Sequence, residues 1–462
     1  MSSAFGEDYE RGLRLMLDAI ARTQAQGFPD PATPAQSISK PSPSATTERG
    51  RGNQDMAAAL GKLATLRGRP PFFDYLGAGL GRGARAMLAD GRWILDFTLG
   101  IGVHLFGHGN LDLIETAIRA AASDLVMQGN LVFNSEYIAL METLLAHAPE
   151  GIDRCWLSLS GADANENALK LLRQHRGARP GVIAFSGCFH GRTSAMAEIT
   201  DRPDYRVRQP RTFPVEYIPF YDRDDPASSG KTLEAMHEVI ARDGERMAAF
   251  MVELVQGEAG FRTAPREFFV PLFQECRRAG IPVWVDEVQT FGRVSELFAT
   301  KLLEVADYVD VITVGKLLQG SALLYRSQMA PDPGLISGTF SGATVAMAVG
   351  RRIIEKLTTE NFFGPRGREK QLEALTRGHL AELARRHPGK ISRVDGIGAM
   401  ISFRIGDGSL DCTRAFIKRT FQAGLALYYG GHEPACVRLF LPAGVLSEAE
   451  LAEAFAIIDR CL

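Results

Sequence analysis

Short apolar runs alternate with helix-like patterns along the middle of this 462-residue chain. A short run without polar alternation indicates a strand that is buried on both faces of a sheet. Strands of this kind, joined by helices, form a mostly parallel sheet that helices cover on both faces. The predicted strands are Cys155–Leu159, Val182–Phe185, Ala248–Val255, Val283–Val285 and Val311–Val314, and the helices between them include Asn165–Gln174 and Arg266–Ala279.

The pattern changes after Ala399, where shorter strands and helices follow one another without a long apolar run. Near the start of the chain, two strand-like stretches flank Asp90-Gly91, a pair that favours a tight β-hairpin turn. The C-terminal pattern predicts a smaller α+β domain beside the large α/β sheet. Its predicted elements are strand Ala399–Phe403, helix Cys412–Ala423, strand Val437–Leu441 and helix Glu448–Ile458, and the hairpin joins Ala86–Leu88 to Trp93–Phe97.

The first 55 residues differ from the remainder. Residues 8–25 place apolar side chains at the spacing of an amphipathic helix. The following stretch, Pro29–Asn53, is rich in proline, serine, threonine and alanine, which is typical of a flexible linker or of a segment lying on a partner.

Composition limits the classes of partner. The formal net charge is −2 and 23% of residues are charged, so the chain has no excess of positive charge for nucleic acid or a membrane surface. No apolar run approaches the roughly 18 residues that span a bilayer. The apolar stretch near the start contains Arg14 and Asp18, unlike a signal peptide. Six cysteines lack zinc spacing. We therefore expect a cytoplasmic protein without a metal site.

Two strand ends carry groups that suit a ligand, and ligands of open α/β sheets bind at the carboxyl ends of strands. Gly161 and Ala162 precede a helix, whose first N–H groups and dipole favour an anion. An ordinary helix start capped by Ser160 explains the same residues. After the next strand, Phe189 and His190 offer a ring for stacking on a planar ligand, or a packed pair with no ligand.

Two further strand ends carry charged side chains. Asp286 ends an apolar strand, and a carboxylate buried there needs a partner, such as a protonated pyridine nitrogen. A helix cap or a metal ligand is the alternative. Lys316 follows Val311–Val314, where desolvation lowers a lysine pKa and makes the amine nucleophilic, unless the side chain reaches solvent. Together, an anion cradle, a stacking ring, a pyridinium partner and a lysine match what pyridoxal phosphate (PLP) needs.

The order of these motifs resembles the class III (ornithine/4-aminobutyrate-type) aminotransferases, which have PLP fold type I. The resemblance extends from about Leu88 to the C-terminus. It rests on Asp96-Phe97, Gly100-Ile101-Gly102, Gly107-His108, Ser160 to Glu166, Phe189 to Thr193, Glu253, Val255 to Glu258, Asp286 to Thr290, Gly315-Lys316, Thr339 to Gly342, Arg438 and Pro442.

The resemblance implies roles around the ring of the cofactor. Lys316 would form the Schiff base and then move protons at the substrate carbon. Asp286 would bind the pyridine nitrogen, and Gln289 would lie near the ring hydroxyl. Phe189 would stack on one face of the ring, and Val288 would press on the other.

The resemblance also implies the remaining cofactor contacts. Gly161 and Ala162 would donate N–H groups to the phosphate, and His190 would belong to the cofactor pocket. Thr339 would reach the phosphate of the neighbouring subunit, which implies a homodimer with shared active sites. The implied segments are an N-terminal helix and linker over 1–55, the first part of the small domain over 56–110, the large domain over 111–355, and the rest of the small domain over 356–462.

The implied activity is transamination from an amine or (ω-)amino acid to an oxo acid, 2-oxoglutarate being the usual acceptor, by a ping-pong mechanism. Arg438 resembles the arginine that binds the substrate α-carboxylate, and Glu258 resembles the glutamate that pairs with it. An aminomutase, racemase or decarboxylase would use the same cofactor. Departures from the family pattern, such as Leu254 and the shortened loop Thr290–Arg293, bear on the substrate more than on the cofactor.

Overall fold

The computed structural model describes residues 3–26, 56–73, 75–125 and 131–462. The predicted linker Pro29–Asn53 lies outside the described residues. In the described ranges, no helix is both long and apolar enough to cross a bilayer. The predicted N-terminal helix over 8–25 is present and longer, as α1 Ser3–Gln26.

The described residues form seventeen strands and fourteen α-helices. The strands are β1 Gly77–Arg82, β2 Arg85–Leu88, β3 Trp93–Asp96, β4 Arg154–Ser158, β5 Gly181–Phe185, β6 Val215–Ile218, β7 Met247–Val252, β8 Val255–Gln256, β9 Arg262–Thr263, β10 Val283–Glu287, β11 Val311–Val314, β12 Ser321–Tyr325, β13 Ile391–Ile397, β14 Met400–Ile405, β15 Leu425–Ala426, β16 Tyr428–Gly431 and β17 Ala435–Phe440. The helices after α1 are α2 56–67, α3 Leu99–Gly102, α4 Leu111–Ser123, α5 Ser135–His147, α6 Gly161–His175, α7 Ser194–Ile199, α8 Ser228–Asp243, α9 Arg266–Arg278, α10 Ala299–Leu302, α11 Thr344–Thr359, α12 Arg368–Arg386, α13 Leu410–Gln422 and α14 Glu448–Cys461.

A seven-stranded sheet forms the centre of the large domain, in the order β4-β12-β11-β10-β7-β5-β6. The pairs β11-β10, β10-β7, β7-β5 and β5-β6 are parallel, and only β12 runs against its neighbours. Every residue of β5, β7, β10, β11 and β12 is buried, which explains why these strands appear in the sequence as continuous apolar runs. The predicted mostly parallel sheet is confirmed.

In the large sheet, one predicted strand was too long and two strands were not predicted. The run Ala248–Val255 divides into β7 and β8, because Glu253 and Leu254 turn the chain between them. The missed strands are β6, in which Glu216 and Tyr217 interrupt the apolar pattern, and the antiparallel β12.

The smaller domain combines both ends of the described chain. A second, antiparallel sheet has the order β13-β14-β17-β16 and packs against α12 and α13. The predicted hairpin is present as β2 and β3. The C-terminal β15 pairs with β3, with Leu425 opposite Leu95. The predicted α+β domain built from both chain ends is therefore confirmed.

The large sheet brings four loops to one edge. Strands β4, β5, β10 and β11 point in the same direction, so the residues that follow them meet at their carboxyl ends. These residues are the stretches that begin at Ser160, Ser186, Val288 and Gly315.

Candidate active site

A cavity of about 750 Å³ lies at the carboxyl edge of the large sheet, between this edge and the smaller domain. Its volume is in the range of small-molecule and cofactor sites. The wall contributed by the large domain contains Gly161, Ala162, Phe189, His190, Glu253, Glu258, Asp286, Val288, Gln289 and Lys316, and the smaller domain contributes Arg414, Tyr428, Tyr429, His432 and Arg438.

The start of α6 forms a small, open cradle. Ser160 caps the helix by accepting a hydrogen bond from Asp163 N on its Oγ (3.2 Å). The first N–H groups of a helix have no acceptor within the helix, so Gly161 and Ala162 present theirs to the cavity. A Cβ on Gly161 would lie 2.6 Å from Val288 Cγ1, so only glycine permits this close approach. This geometry suits an anion. The helix cap at Ser160, which the sequence offered as the alternative, is also present.

Asp286, one residue before the end of β10, is a buried carboxylate held by three donors. Its Oδ2 accepts from Asn165 Nδ2 (2.9 Å) and faces His190 Nδ1 (2.8 Å), and its Oδ1 accepts from Val288 N (3.0 Å). Because all three contacts come from positioned groups, the carboxylate is fixed in orientation at the cavity wall.

His190 is the imidazole partner of Asp286. Burial by itself disfavours the charged imidazole, but the Cys188 sulfur and the Asp286 carboxylate favour it, so the pKa of His190 lies well above its ordinary value. Its backbone N–H donates to Thr200 Oγ1 (2.9 Å), and its carbonyl accepts from Asn165 Nδ2 (2.8 Å). His190 therefore helps to hold the Asp286 carboxylate in a fixed position.

Phe189 is positioned by Glu253, a residue of the family motif for which the sequence predicted no role. Glu253 Oε2 accepts from Phe189 N (2.9 Å), and its Oε1 accepts from Gly257 N (3.0 Å). Burial raises the pKa of Glu253 to about 7. The Phe189 ring meets the Tyr205 ring edge to face at 6.0 Å and lines the cavity.

Val288 and Gln289 follow Asp286 on the same wall. The Val288 side chain lies against the backbones of Gly161 and Gly315, where a Cβ on either glycine would clash with it or nearly do so. The Gln289 side chain is buried against Gly257, and the backbone carbonyl of Gln289 accepts from Arg293 Nη1 (2.6 Å).

Lys316 begins the turn after β11 and lies at the cavity wall. Its backbone has a φ of 48°, a left-handed conformation that costs energy for a residue with a side chain. Burial, together with the nearby charges of Arg293 and Arg438, lowers the pKa of Lys316 to about 8. A neutral, nucleophilic amine is therefore accessible near physiological pH.

Arg438 and Glu258 are brought together, as the resemblance implied. The Arg438 side chain is 1% exposed, and its Nη2 lies 3.2 Å from Glu258 Oε2, an ion pair that lacks the alignment of a hydrogen bond. Its Nη1 donates to Gly257 O and its Nε to Tyr429 O (both 3.1 Å). The arginine is thus fixed by backbone carbonyls, while its contact with the glutamate is loose.

Thr339 is the one predicted cofactor residue outside the cavity of the single chain. Thr339 is exposed at the start of the turn Thr339–Gly342, next to Phe340, which is 60% exposed. A contact between Thr339 and a cofactor therefore requires a second copy of the chain, and that role stays a prediction.

Several lining residues were not singled out from the sequence. Asn165 belongs to the motif Ser160 to Glu166. Its position just after the small residues at the start of α6 is the sequence signal that could have identified it. No sequence signal marks the others, because they become neighbours only through the fold. They are Arg67, Arg69, Phe72, Arg202, Asp204, Tyr205, Arg414, Tyr428, Tyr429 and His432.

The described residues contain no group of three or more histidine, cysteine or acidic side chains placed to hold a metal ion. The metal-ligand alternative for Asp286 therefore has no support in this part of the chain.

Comparisons with known proteins agree with this geometry. A family model described as aminotransferase class-III matches residues 76–462. The 2-aminoadipate transaminase of Pseudomonas putida is 33% identical, over 83% of this chain and 94% of its own length. The acetylornithine aminotransferase of Thermosynechococcus vestitus is 32% identical, over 83% and 91%.

Solved structures show the same fold. The ornithine aminotransferase of Toxoplasma gondii superposes with a TM-score of 0.73 at 24% identity, over 84% of this chain and 90% of its own. A transaminase from the marine bacterium Virgibacillus superposes with a TM-score of 0.77 at 19% identity, over 84% and 92%.

Proposed function

Because this chain belongs to the class III aminotransferases, we propose that it uses PLP to move an amino group from an amine or (ω-)amino acid to an oxo acid. The observation that carries the proposal is that the fixed carboxylate of Asp286 and the low-pKa amine of Lys316 open onto one cavity. Phe189 and Val288 line the same cavity.

The residues present fit the cofactor. Gly161 leaves room beside Val288 where any side chain would clash, and the N–H groups at the start of α6 suit the phosphate. Asp286 would hold the pyridine nitrogen, with His190 and Asn165 behind it. Gln289 would lie near the ring hydroxyl. When bound through Lys316, PLP supplies an electron sink for the negative charge that develops on the substrate carbon.

The protein contributes positioning and proton transfer. Lys316 Nζ would remove the proton from the carbon that bears the amino group. Asp286 would keep the pyridine nitrogen protonated, because a fixed carboxylate favours the charged ring. The second half-reaction reverses these steps with an oxo acid, for which we propose 2-oxoglutarate.

An amino-acid donor is supported by the relatives, two of which are named for 2-aminoadipate and acetylornithine. The Glu258–Arg438 pair would let one pocket accept both kinds of substrate. Arg438 is free to bind an α-carboxylate only if Glu258 releases it, and their contact is an ion pair without hydrogen-bond alignment.

Replacing Arg438 with alanine is expected to raise KM for glutamate and 2-oxoglutarate by about 10- to 100-fold, the effect of losing one charge-assisted hydrogen bond. The KM for a primary amine without a carboxylate should change less. Steady-state kinetics with both donors tests this, with exposed Arg385→Ala as the control variant. Equal losses with both donors would contradict a role for Arg438 in carboxylate binding.

We also propose a homodimer, in which Thr339 of each subunit completes the phosphate site of the other. Its exposed position next to the apolar Phe340 supports this arrangement. Each subunit would divide into the segments 1–55, 56–110, 111–355 and 356–462.

An absorption spectrum of the purified protein tests the proposed function. We expect a visible band that bleaches with a donor amine and returns on addition of 2-oxoglutarate. A band that shifts but never bleaches would instead indicate a racemase, decarboxylase or mutase, and no band after added PLP would overturn the cofactor proposal.

A further inference from the structure

Arg293 follows β10 and is buried outside the lining of the active-site cavity. Of the arginines that the structure describes, only Arg293 and Arg438 are buried. The Nη1 of Arg293 donates to Gln289 O (2.6 Å), but its Nε and Nη2 have no acceptor in the described chain. A buried cation with unsatisfied N–H groups is unfavourable, so the stability of the fold does not explain its position.

Glu369 on α12 is the acid whose charge favours the protonated form of Arg293, but the two side chains do not hydrogen-bond. Glu369 Oε2 accepts from Ser295 N, and its Oε1 has no donor among the described residues. Burial raises the pKa of Glu369 to about 8 and lowers that of Arg293 to about 9, so at pH 7 the acid is mostly neutral and the guanidinium is charged. Arg438, in contrast, has Glu258 at 3.2 Å.

The position of Arg293 connects it to two parts of the cavity wall. Gln289 lines the cavity, and Arg293 holds its backbone carbonyl. The preceding residue, Gly292, packs against Leu317, because a Cβ on the glycine would lie 2.9 Å from Leu317 Cδ2. Leu317 directly follows Lys316, which lines the cavity. The guanidinium can therefore influence Lys316 without entering the space that a substrate would occupy.

Four charged side chains from different parts of the fold act on the Lys316 amine. Burial and the charges of Arg293 and Arg438 disfavour its protonated form, whereas Asp286 and Glu253 favour it, and the resulting pKa is about 8. Burial also raises the pKa of Glu253 to about 7, which weakens one of the two favourable charges near neutral pH. Arg293 has no printed role in substrate or cofactor contact, so its charge is left to act on the lysine.

We propose that Arg293 is a positioning residue for the reaction, which fixes the Gln289 segment of the cavity wall and supplies the buried positive charge that keeps the Lys316 amine reactive. This inference rests on the proposed function and adds to it a residue outside the cavity. The alternative is that Arg293 only ties the Gln289 carbonyl to the fold, in which case its charge would have no effect on Lys316.

Chemical labelling of the full chain without cofactor tests the effect of the charge on Lys316. Acetic anhydride reacts with neutral amines, and mass spectrometry reports the rate at each lysine. We expect the rate at Lys316 at pH 7 to fall about 10-fold in Arg293→Met, which keeps the length of the side chain and removes its charge. Arg293→Lys keeps the charge and should retain the rate within a few-fold. Exposed Lys301 is the internal reference in every sample.

Glu369→Gln is the matched variant, because it alters the same buried cluster with the opposite change of charge. Loss of a negative charge does not raise the pKa of an amine, so the labelling rate at Lys316 should stay the same or increase. Thermal unfolding of each variant confirms that folded proteins are compared, and Arg293→Gln replaces Arg293→Met if methionine prevents folding. An unchanged rate in the neutral Arg293 variant, or an equal fall in Arg293→Lys or Glu369→Gln, would overturn the proposal.

The pH dependence of turnover tests the same role in the PLP-loaded enzyme. A higher Lys316 pKa leaves the amine protonated at neutral pH but not at high pH. The kcat of Arg293→Met should therefore fall about 10-fold at pH 7 and lie within a few-fold of the wild type at pH 9. An equal loss at both pH values would indicate structural damage and overturn the electrostatic role. If the wild type transaminates no amine, the proposed function fails, and the labelling rates still decide whether Arg293 acts on Lys316.

Discussion

Asp286→Asn is expected to lower kcat for transamination by about 10²- to 10³-fold, the effect of removing one preorganised charge at a reacting centre. Asparagine has nearly the same shape, but it is neutral and cannot favour a protonated pyridine nitrogen. Its amide N–H₂ would also face a donor whichever way it turns, because Asn165 and His190 lie on one side and Val288 N on the other. Stopped-flow absorbance of each half-reaction measures the loss directly.

The next residue provides a matched control. Glu287 is also a buried carboxylate of β10, but it accepts from Ala299 N and Thr300 N on the far side of the strand and does not line the cavity. Burial raises the pKa of Glu287 to about 7, so a neutral glutamine replaces a group that is already partly protonated. The Glu287→Gln amide would also face N–H donors, so this variant carries a comparable defect away from the cavity, and it should retain kcat within a few-fold. An equal loss of kcat in both variants would assign the Asp286 effect to general damage.

The residues at the ends of four strands show which parts of the site could be predicted from the sequence. Asp286 and Lys316 could be singled out because each interrupts or follows an apolar strand, where a charged side chain is costly without a purpose. The parallel sheet then places both at one edge, so their proximity follows from topology alone. The resemblance added Val288 and Gln289, whose residue types carry no signal of their own.

The wall contributed by the smaller domain could not be predicted in the same way. Phe72, Arg414 and Tyr429 come from three distant segments, and each has an ordinary structural explanation when it is considered alone. They become neighbours only because β16 and α13 pack beside the segment after α2. Periodicity reports which side chains are buried within one element, but it does not report which elements meet.

Glu253 illustrates a second limit on what can be predicted from the sequence. The sequence placed it within one long strand, Ala248–Val255, because its neighbours are apolar. In the structure the strand ends at Val252, and the carboxylate accepts from Phe189 N and Gly257 N. These two hydrogen bonds satisfy the carboxylate at the point where the strand stops, and one donor, Phe189 N, is 64 residues away along the chain.

Lys316→Ala is expected to give the largest effect, a loss of kcat on the order of 10⁴-fold, the upper range for removal of a positioned proton-transfer group. The visible band of a covalently held cofactor should also be absent, although PLP can still bind through Asp286 and the start of α6. Absorbance and single-turnover kinetics measure the two losses separately. Lys301→Ala, on an exposed face of the same domain, is the control variant. It should keep the visible band and the wild-type kcat.

Added methylamine separates the two roles of Lys316. A free amine can take the proton from the substrate carbon in place of the missing side chain, so the single-turnover rate of Lys316→Ala should rise with methylamine concentration. A rate that does not respond, in a variant that still binds PLP, would contradict the proton-transfer role and leave only the covalent one.

The stability of the same variant provides an independent test of the local electrostatics. Burial and the charges of Arg293 and Arg438 disfavour the protonated Lys316 amine, as its lowered pKa of about 8 indicates. Alanine removes that cation, so the Tm of the variant without cofactor should equal or exceed that of the wild type under the same conditions. A clearly lower Tm would mean that Lys316 stabilises the fold, and its loss of activity could then no longer be assigned to chemistry alone. A maintained Tm with lost turnover is the combination expected of a residue whose unfavourable position serves the reaction.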